Sequence, residues 1–217
     1  MPLHKSTIIN GNTQLLVWKI TESHDDLFKQ VSLKDICLAR LEGMKSEQHR
    51  KGFLSVRMLL QEAGYTDFDL YYTDDGKPHL KDDKYISITH SHNFSAIIIS
   101  DENVGIDMEM QRKKITIIAN KFCKTELDYL EPNKLKDYIR SLTVIWGVKE
   151  ALFKMISLPG ISFKNHIDVH SFIIDNNNGK ATVTFNNMNS NYIFSFEEIE
   201  NFTLVYSFEE TNDKAHL

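Results

Sequence analysis

The first feature of the sequence with chemical potential is a pair of acids two positions apart in an apolar run, Val104-Gly105-Ile106-Asp107-Met108-Glu109-Met110. On an extended strand Asp107 and Glu109 point to one face, while Ile106, Met108 and Met110 point to the other and enter a core. Two carboxylates on one face suit an oxygen-preferring ion such as Mg2+, which is commonly bound by one or two carboxylates together with water and substrate phosphates. A half-exposed strand with its acids turned to water has the same pattern. A second group, Trp146-Gly147-Val148-Lys149-Glu150-Ala151-Leu152-Phe153-Lys154, lies inside a long helical pattern. Glu150 and Lys154 are four apart and share a helix face, with Trp146 one turn earlier on the same side. Alone, they make a surface ion pair worth a few tenths of a kcal/mol. Beside Asp107 and Glu109 they supply a third carboxylate and a lysine. Pyrophosphate chemistry requires that set: a cation against the oxygens, a lysine for charge, and a carboxylate to take a proton.

The elements that must position these groups follow from periodicity. In the first half an alternating strand over residues 14–20 leads to a helical region over 32–63. The best stretch of that region, residues 46–63, carries Phe53, Leu54, Val56, Leu59 and Leu60 at helical spacing and stops at Gly64. Strand patterns follow at 68–72, 85–89, 95–99 and 105–110, separated by turn formers such as Asp74-Asp75-Gly76. The second half repeats the order, with helical patterns at 115–122 and 125–129 and a long one over 133–156. An antiparallel meander then runs over 167–174, 181–185, 192–198 and 202–208, broken by Asn-Asn-Asn-Gly and Asn-Met-Asn-Ser turns. The expected class is α+β, in two similar halves, each with a small, mainly antiparallel sheet on a long helix.

Composition sets the outer bounds. A chain of 217 residues with 41% apolar and 25% charged residues is globular. The net charge of −5 gives no general attraction to nucleic acid or anionic lipid, so a polyanion must be held by local groups. No apolar run approaches the 18 or so residues of a membrane span. The opening MPLHKSTIIN lacks the features of a secretory signal. Cys37 and Cys123 stand alone without a CxxC pattern, which points to a reducing cytoplasm rather than to a disulfide frame or zinc knuckle.

Taken in order, these motifs resemble the 4'-phosphopantetheinyl transferase superfamily, whose signature is a G-[IV]-D-x-E strand followed by a W-x-x-K-E-[AS]-x-x-K helix. Asp107 and Glu150 are 43 residues apart, within the usual interval. Between them Lys121-Phe122-Cys123-Lys124-Thr125-Glu126 is similar to the family's F-x-x-x-E element. Upstream, Gly76-Lys77-Pro78 resembles its GKP turn, Ile86-Ser87-Ile88-Thr89-His90-Ser91 its F-N-[IL]-S-H-S strand, and Lys45-Ser46-Glu47-Gln48-His49-Arg50 its basic stretch. The likeness spans about residues 45 to 165.

The resemblance implies an enzyme of the holo-acyl-carrier-protein synthase type. Such an enzyme moves the phosphopantetheine arm of coenzyme A onto a serine of an apo acyl or peptidyl carrier protein, in fatty acid or secondary metabolite synthesis, and releases adenosine 3',5'-bisphosphate. It implies Mg2+ on Asp107, Glu109 and Glu150, with Glu150 the first choice of base, Lys154 stabilising charge on the α-phosphate side, Lys149 on the same anion, and Glu126 as a helper carboxylate that serves either as the base or in support of the metal shell. His90 and Thr89 would meet the 3'-phosphate, Lys77 and Pro78 the adenine side, and Arg50 a phosphate. Arg57, seven residues from Arg50, falls on nearly the same helix face, so the two can reach phosphate oxygens or else form a solvated basic face. His90 and His92 also have the spacing of a metal pair, but no third ligand stands near in sequence. Thr89 stands where the family has serine and His92-Asn93 where it commonly has Gly-Arg. The lysines expected before the first long helix would have to be replaced by Lys34 or Arg40. The length matches the surfactin-type form, a monomer whose halves are related by pseudo-twofold symmetry. Residues 1–103 would form the coenzyme nucleotide side and 104–217 the metal and catalytic side, with the cofactor in the cleft between them. A coenzyme- or carrier-binding homologue without turnover is the main alternative, and an unrelated Mg2+-dependent phosphohydrolase the lesser one. No nucleic acid or membrane partner is expected.

Overall fold

The structure is a computed structural model and describes residues 2–210. The chain forms two compact units, Met1–Glu102 and Asn103–Leu217. In the first unit, strands β1 (Leu3–Ile9) and β2 (Thr13–Lys19) form a hairpin whose tip places Asn10 at φ 49° and Gly11 at φ 79°. Asn-Gly favours that left-handed pair, which matches the twist of a hairpin. Helices α1 (His24–Phe28), α2 (Asp35–Gly43) and α3 (Glu47–Glu62) follow, then strands β3 (Leu70–Tyr72), β4 (Pro78–Leu80), β5 (Tyr85–Ser91) and β6 (Phe94–Ser100). The sheet order is β1-β2-β6-β5-β4-β3, with every pairing antiparallel. Ser46 caps α3 by accepting from the His49 N–H, and Gly64 at φ 84° ends it, with the Tyr65 N–H closing back on the Leu60 carbonyl. The five apolar residues at helical spacing, Phe53, Leu54, Val56, Leu59 and Leu60, are all buried against Leu16, Trp18, Ile97 and Ile99 of the sheet.

The second unit opens with β7 (Val104–Met110) and continues through α4 (Ile115–Phe122), a 3-10 turn over Thr125–Asp128, the long α5 (Leu135–Ile156) and the short α6 (Phe163–His166). Strands β8 (Ile167–Val169), β9 (Asn178–Phe185), β10 (Met188–Ile199) and β11 (Phe202–Glu209) complete a sheet of order β7-β11-β10-β9-β8. The connectivity matches that of the first unit once β1 is set aside. In both, a strand leads to a long helix and then to a four-strand meander whose last member pairs with the opening strand. Among the described residues no helix is long and apolar enough to cross a membrane.

Some elements differ from the sequence reading. Strands β1 and β4 and helices α1 and α6 were not expected; three of them are five residues or shorter, and β1 alternates between half-buried and exposed positions along its length. The strand expected over 167–174 stops at Val169, and a 3-10 turn over Ile174–Asn176 occupies its end. The segment over 125–129 is a 3-10 turn rather than an α-helix.

Two glycines set how closely α5 lies on the sheet. A Cβ on Gly105 would stand 2.1 Å from the Ala151 carbonyl oxygen and 2.8 Å from Met155 Cγ. A Cβ on Gly147 would stand 2.7 Å from Val205 Cγ2, and Val205 pairs with Asp107 across β11 and β7. Helix and strand therefore meet backbone to backbone. Since Gly105, Asp107 and Glu109 share a face of β7, both carboxylates are turned toward α5. Ile106 and Met108 are buried on the opposite face. The face of the strand that carries the acids lies under the helix, not in open water as in the plain half-exposed reading.

Gly105→Ala is expected to lower unfolding free energy by about 1–3 kcal/mol or more, because a backbone carbonyl cannot rotate away from the added methyl. Gly43→Ala, at an exposed helix end with nothing within 4 Å of its Cβ, is expected to be neutral or to stabilise by roughly 0.4–1 kcal/mol. Denaturant unfolding of the two variants checks the contrast.

Candidate active site

Strand β7 and helix α5 bring four charged groups together. Asp107 is 5% exposed, and its Oδ1 accepts from Lys154 Nζ at 2.8 Å. The same ammonium donates to the Ile106 carbonyl at 2.9 Å, so Lys154 is fixed to β7 at two points. Glu109 Oε1 accepts from the Trp146 indole N–H at 3.3 Å. Glu150, one turn beyond Trp146, completes the group.

Electrostatics show how these carboxylates sense one another. Burial raises the Glu150 carboxyl to about 7, Asp107 pushes it the same way, Lys154 opposes, and Glu109 adds a smaller push upward. Burial likewise raises Glu109, followed by the charge of Asp107, against the Trp146 hydrogen bond, Lys154 and Arg112. Three carboxylates face a single ammonium here, so full ionisation leaves excess negative charge in a partly desolvated place. A proton or a divalent cation relieves it. The donors are all oxygen, which fits Mg2+ better than a softer metal. Among the described residues, no three His, Cys, Asp or Glu side chains are gathered tightly enough to enclose an ion as they stand.

Two residues assigned to this chemistry from the motifs are placed elsewhere. Lys149 is 0% exposed, and its ammonium donates to the carbonyls of Phe122 at 2.8 Å, Phe163 at 2.9 Å and Ile167 at 2.7 Å. It also pairs with Glu126 Oε1 at 2.5 Å. Glu126 is 1% exposed and accepts the Lys124 and Val169 N–H groups at 2.8 and 3.2 Å. Consecutive helical residues point about 100° apart. Lys149 therefore leaves α5 toward α4, α6 and β8, whereas Glu150 leaves it toward β7. Lys149 is not available to a substrate anion, and the Glu126 carboxylate is engaged inside the fold, not in the carboxylate group.

In the first unit, α3 and the end of the β5–β6 hairpin gather a basic cluster. Gly52 lets the exposed His90 ring lie on the helix, with its Cγ 3.2 Å from where a Cβ would be. His49 stands 6.2 Å from His90 between ring centroids, and Gln48 Nε2 meets His92 Nδ1 at 3.0 Å. A recess of about 510 Å³ lined by Gln48, Lys51 and His92 adjoins them. Arg50 donates to the Met44 carbonyl at 2.7 Å and lines a second recess, of about 360 Å³, with Lys45 and His24 and the acids Asp25 and Glu47, the last of which also lines the first recess. Thr89 is buried on β5 beside His90. Lys77 and Pro78 belong to the turn that Gly76 opens at φ 83°. They lead into β4, whose His79 pairs with Tyr85 at the opposite end of β5 from His90. Burial lowers the Lys77 ammonium.

Arg57 and Lys34 are parts of the fold, whereas Arg40 is exposed on α2. Arg57 is 3% exposed, paired with Asp67 at 3.0 Å and stacked 3.5 Å over the Phe53 ring, so it cannot reach a phosphate. Lys34 Nζ donates to the Leu70 carbonyl, and the Arg40 guanidinium lies 5.8 and 5.7 Å from the ring centroids of Phe53 and Tyr72. The motifs did not disclose the hydrogen bond from Trp146 to Glu109 or the close approach that Gly105 and Gly147 permit. Glycines in the interior of a strand and of a helix were the available signal.

Residues 103–209 match the model of the 4'-phosphopantetheinyl transferase superfamily. The chain is also similar to the 4'-phosphopantetheinyl transferase gsp of Aneurinibacillus migulanus, with 29% identity over 109 residues. That stretch covers 50% of the chain and 44% of the relative, so less than half of the relative's length is matched.

The raised Glu150 carboxyl makes stability depend on pH. A carboxyl whose folded-state pKa exceeds its unfolded value binds more protons when folded, so its contribution is full below about pH 4.5 and is lost as pH rises through about 7. With a chelator present, unfolding free energy is expected to fall over that interval by up to about 3 kcal/mol. Glu150→Gln should remove most of the slope. Denaturant titrations from pH 5 to 8 check this, and an unchanged slope in the variant would remove Glu150 as its source.

Proposed function

We propose, because residues 103–209 match the model of the 4'-phosphopantetheinyl transferase superfamily, that the protein transfers the 4'-phosphopantetheine group of coenzyme A to a serine hydroxyl of an apo acyl or peptidyl carrier protein, as a monomer, releasing adenosine 3',5'-bisphosphate. The observation that carries this reading is the grouping of Asp107, Glu109, Glu150 and Lys154 where β7 meets α5. Asp107, Glu109 and Glu150 would hold Mg2+, whose charge neutralises pyrophosphate oxygens when it is bound.

The chain's own residues then take these roles. Glu150, on the face of α5 turned toward β7, is the carboxylate that accepts the proton of the carrier serine. The serine oxygen forms a bond to the phosphorus that carries pantetheine, and the bond from that phosphorus to the bridging oxygen breaks. Lys154 faces the charge that develops on the departing 5'-phosphate. Trp146 orients Glu109 through its indole N–H. For the nucleotide, His90 with Thr89 meets the 3'-phosphate, Arg50 adds a guanidinium, and Lys77 and Pro78 lie on the adenine side.

A homologue that binds coenzyme A or a carrier without turnover is the second reading. It is favoured by the engagement of Lys34 with the Leu70 carbonyl, which leaves one cation fewer for the 3'-phosphate.

Incubation with coenzyme A, Mg2+ and several apo carriers, followed by intact-mass measurement, is expected to show one phosphopantetheine addition on at least one carrier. Asp107→Ala and Glu150→Ala are expected to reduce turnover by roughly 100-fold or more while the protein stays folded. Tight coenzyme binding in a calorimeter with no mass gain on any carrier would favour the second reading.

A further inference from the structure

Lys149 stands at the centre of the second unit with no access to solvent, and its three ammonium hydrogens are shared among four oxygen acceptors. The acceptors come from four separate segments. Phe122 closes α4, Glu126 lies in the 3-10 turn, Phe163 opens α6 and Ile167 opens β8. The side chains of two of these residues converge again on α5. The rings of Phe122 and Phe163 pack on Trp146 with centroids 5.1 and 5.5 Å away. The Trp146 indole N–H in turn donates to Glu109 Oε1. A continuous set of contacts thus runs from a buried ammonium, through two carbonyls and their own rings, to an indole and a carboxylate of the candidate site.

We infer that Lys149 is a positioning residue that fixes Phe122 and Phe163 so that their rings hold Trp146 with its indole N–H on Glu109. The physical reason is directional. An ammonium that satisfies buried carbonyls on α4 and α6 sets where those segments lie against α5. An edge-to-face contact then sets the tilt of the indole plane. Lys149→Arg cannot substitute, since a planar five-donor fork does not fit a point-charge cage with no exposure. The role in catalysis rests on the transferase reading given above, but the geometry needs no substrate and is measured without one.

Fluorine NMR on protein labelled with 5-fluorotryptophan gives one signal for Trp18 and one for Trp146, assigned by Trp146→Phe. Lys149→Met alone leaves the Glu126 charge buried without its partner and would fail to fold. The test therefore uses the double variant Lys149→Met with Glu126→Gln, which removes both charges together, with circular dichroism confirming that it is folded. The expected result is a displaced or broadened Trp146 signal with the Trp18 signal unmoved. A Trp146 signal unchanged in the folded double variant overturns the inference. Equal movement of both signals also overturns it, because that is general loosening. Glu126→Gln alone likewise leaves the Lys149 charge buried without its partner, so neither single variant is used. In the carrier-modification assay, the double variant is expected to lose about 10- to 100-fold in kcat with KM for coenzyme A unchanged. A raised KM with kcat unchanged would place Lys149 on the anion and overturn the inference. Absence of turnover in the parent protein bears on the transferase reading alone, because the fluorine signals are read without substrate.

Discussion

The geometry of the second unit depends on the distance between α5 and the strand beneath it. A helix ordinarily packs on a sheet through side chains, which keeps the two backbones well apart. Here Gly105 and Gly147 remove a side chain from each partner at the crossing, and the Ala151 carbonyl comes close enough to β7 that even a methyl group has no room. Everything near the crossing is set by that approach. With a wider gap Glu150 would stand too far from Asp107 and Glu109 to feel their charge. Lys154 reaches the Ile106 carbonyl and the Asp107 carboxylate together because its helix lies directly on the strand.

Charge inside the protein is handled in two ways. Lys149 with Glu126, and Arg57 with Asp67, are fully desolvated pairs whose remaining hydrogen-bonding capacity is met by backbone or ring partners. Such pairs contribute little net stability against an apolar replacement, yet the loss of either partner is costly, so they hold specific segments in place. The carboxylates beside Lys154 are the opposite case. Burial first, and then the charge of neighbouring carboxylates, raises the carboxyl pKa values of Glu109 and Glu150. The balanced pairs are structural, and the imbalance is confined to the surface where β7 emerges from under the helix.

Long periodic segments were legible in the sequence. The apolar stripe of α3, the run of α5 and the strand around Asp107 are formed by the residues whose spacing announced them. Short elements were not: a three-residue strand beginning with proline and helices of four or five residues hold too few positions for a period to show. Among the site residues, Asp107, Glu109, Glu150 and Lys154 were recognisable because strand and helix spacing alone put each pair on one face. Lys149 was misread because a linear motif does not record direction, and the neighbour of Glu150 points a quarter-turn away. Arg57 was misread for a related reason. Whether an arginine on a helix meets water or a buried acid depends on Asp67, ten positions further along, and on the segment that carries it inward.

In both units the opening strand is paired with the closing one, β2 with β6 and β7 with β11. The partner of Asp107 is Val205, and the partner of Glu109 is Thr203. Contacts so distant in sequence close late, since the loop entropy between them is overcome only when most of the intervening chain is ordered. During synthesis, the strand that bears the two acids leaves the ribosome nearly a hundred residues before the strand that fixes its register. The carboxylates thus acquire their fixed strand register only after β11 has been made.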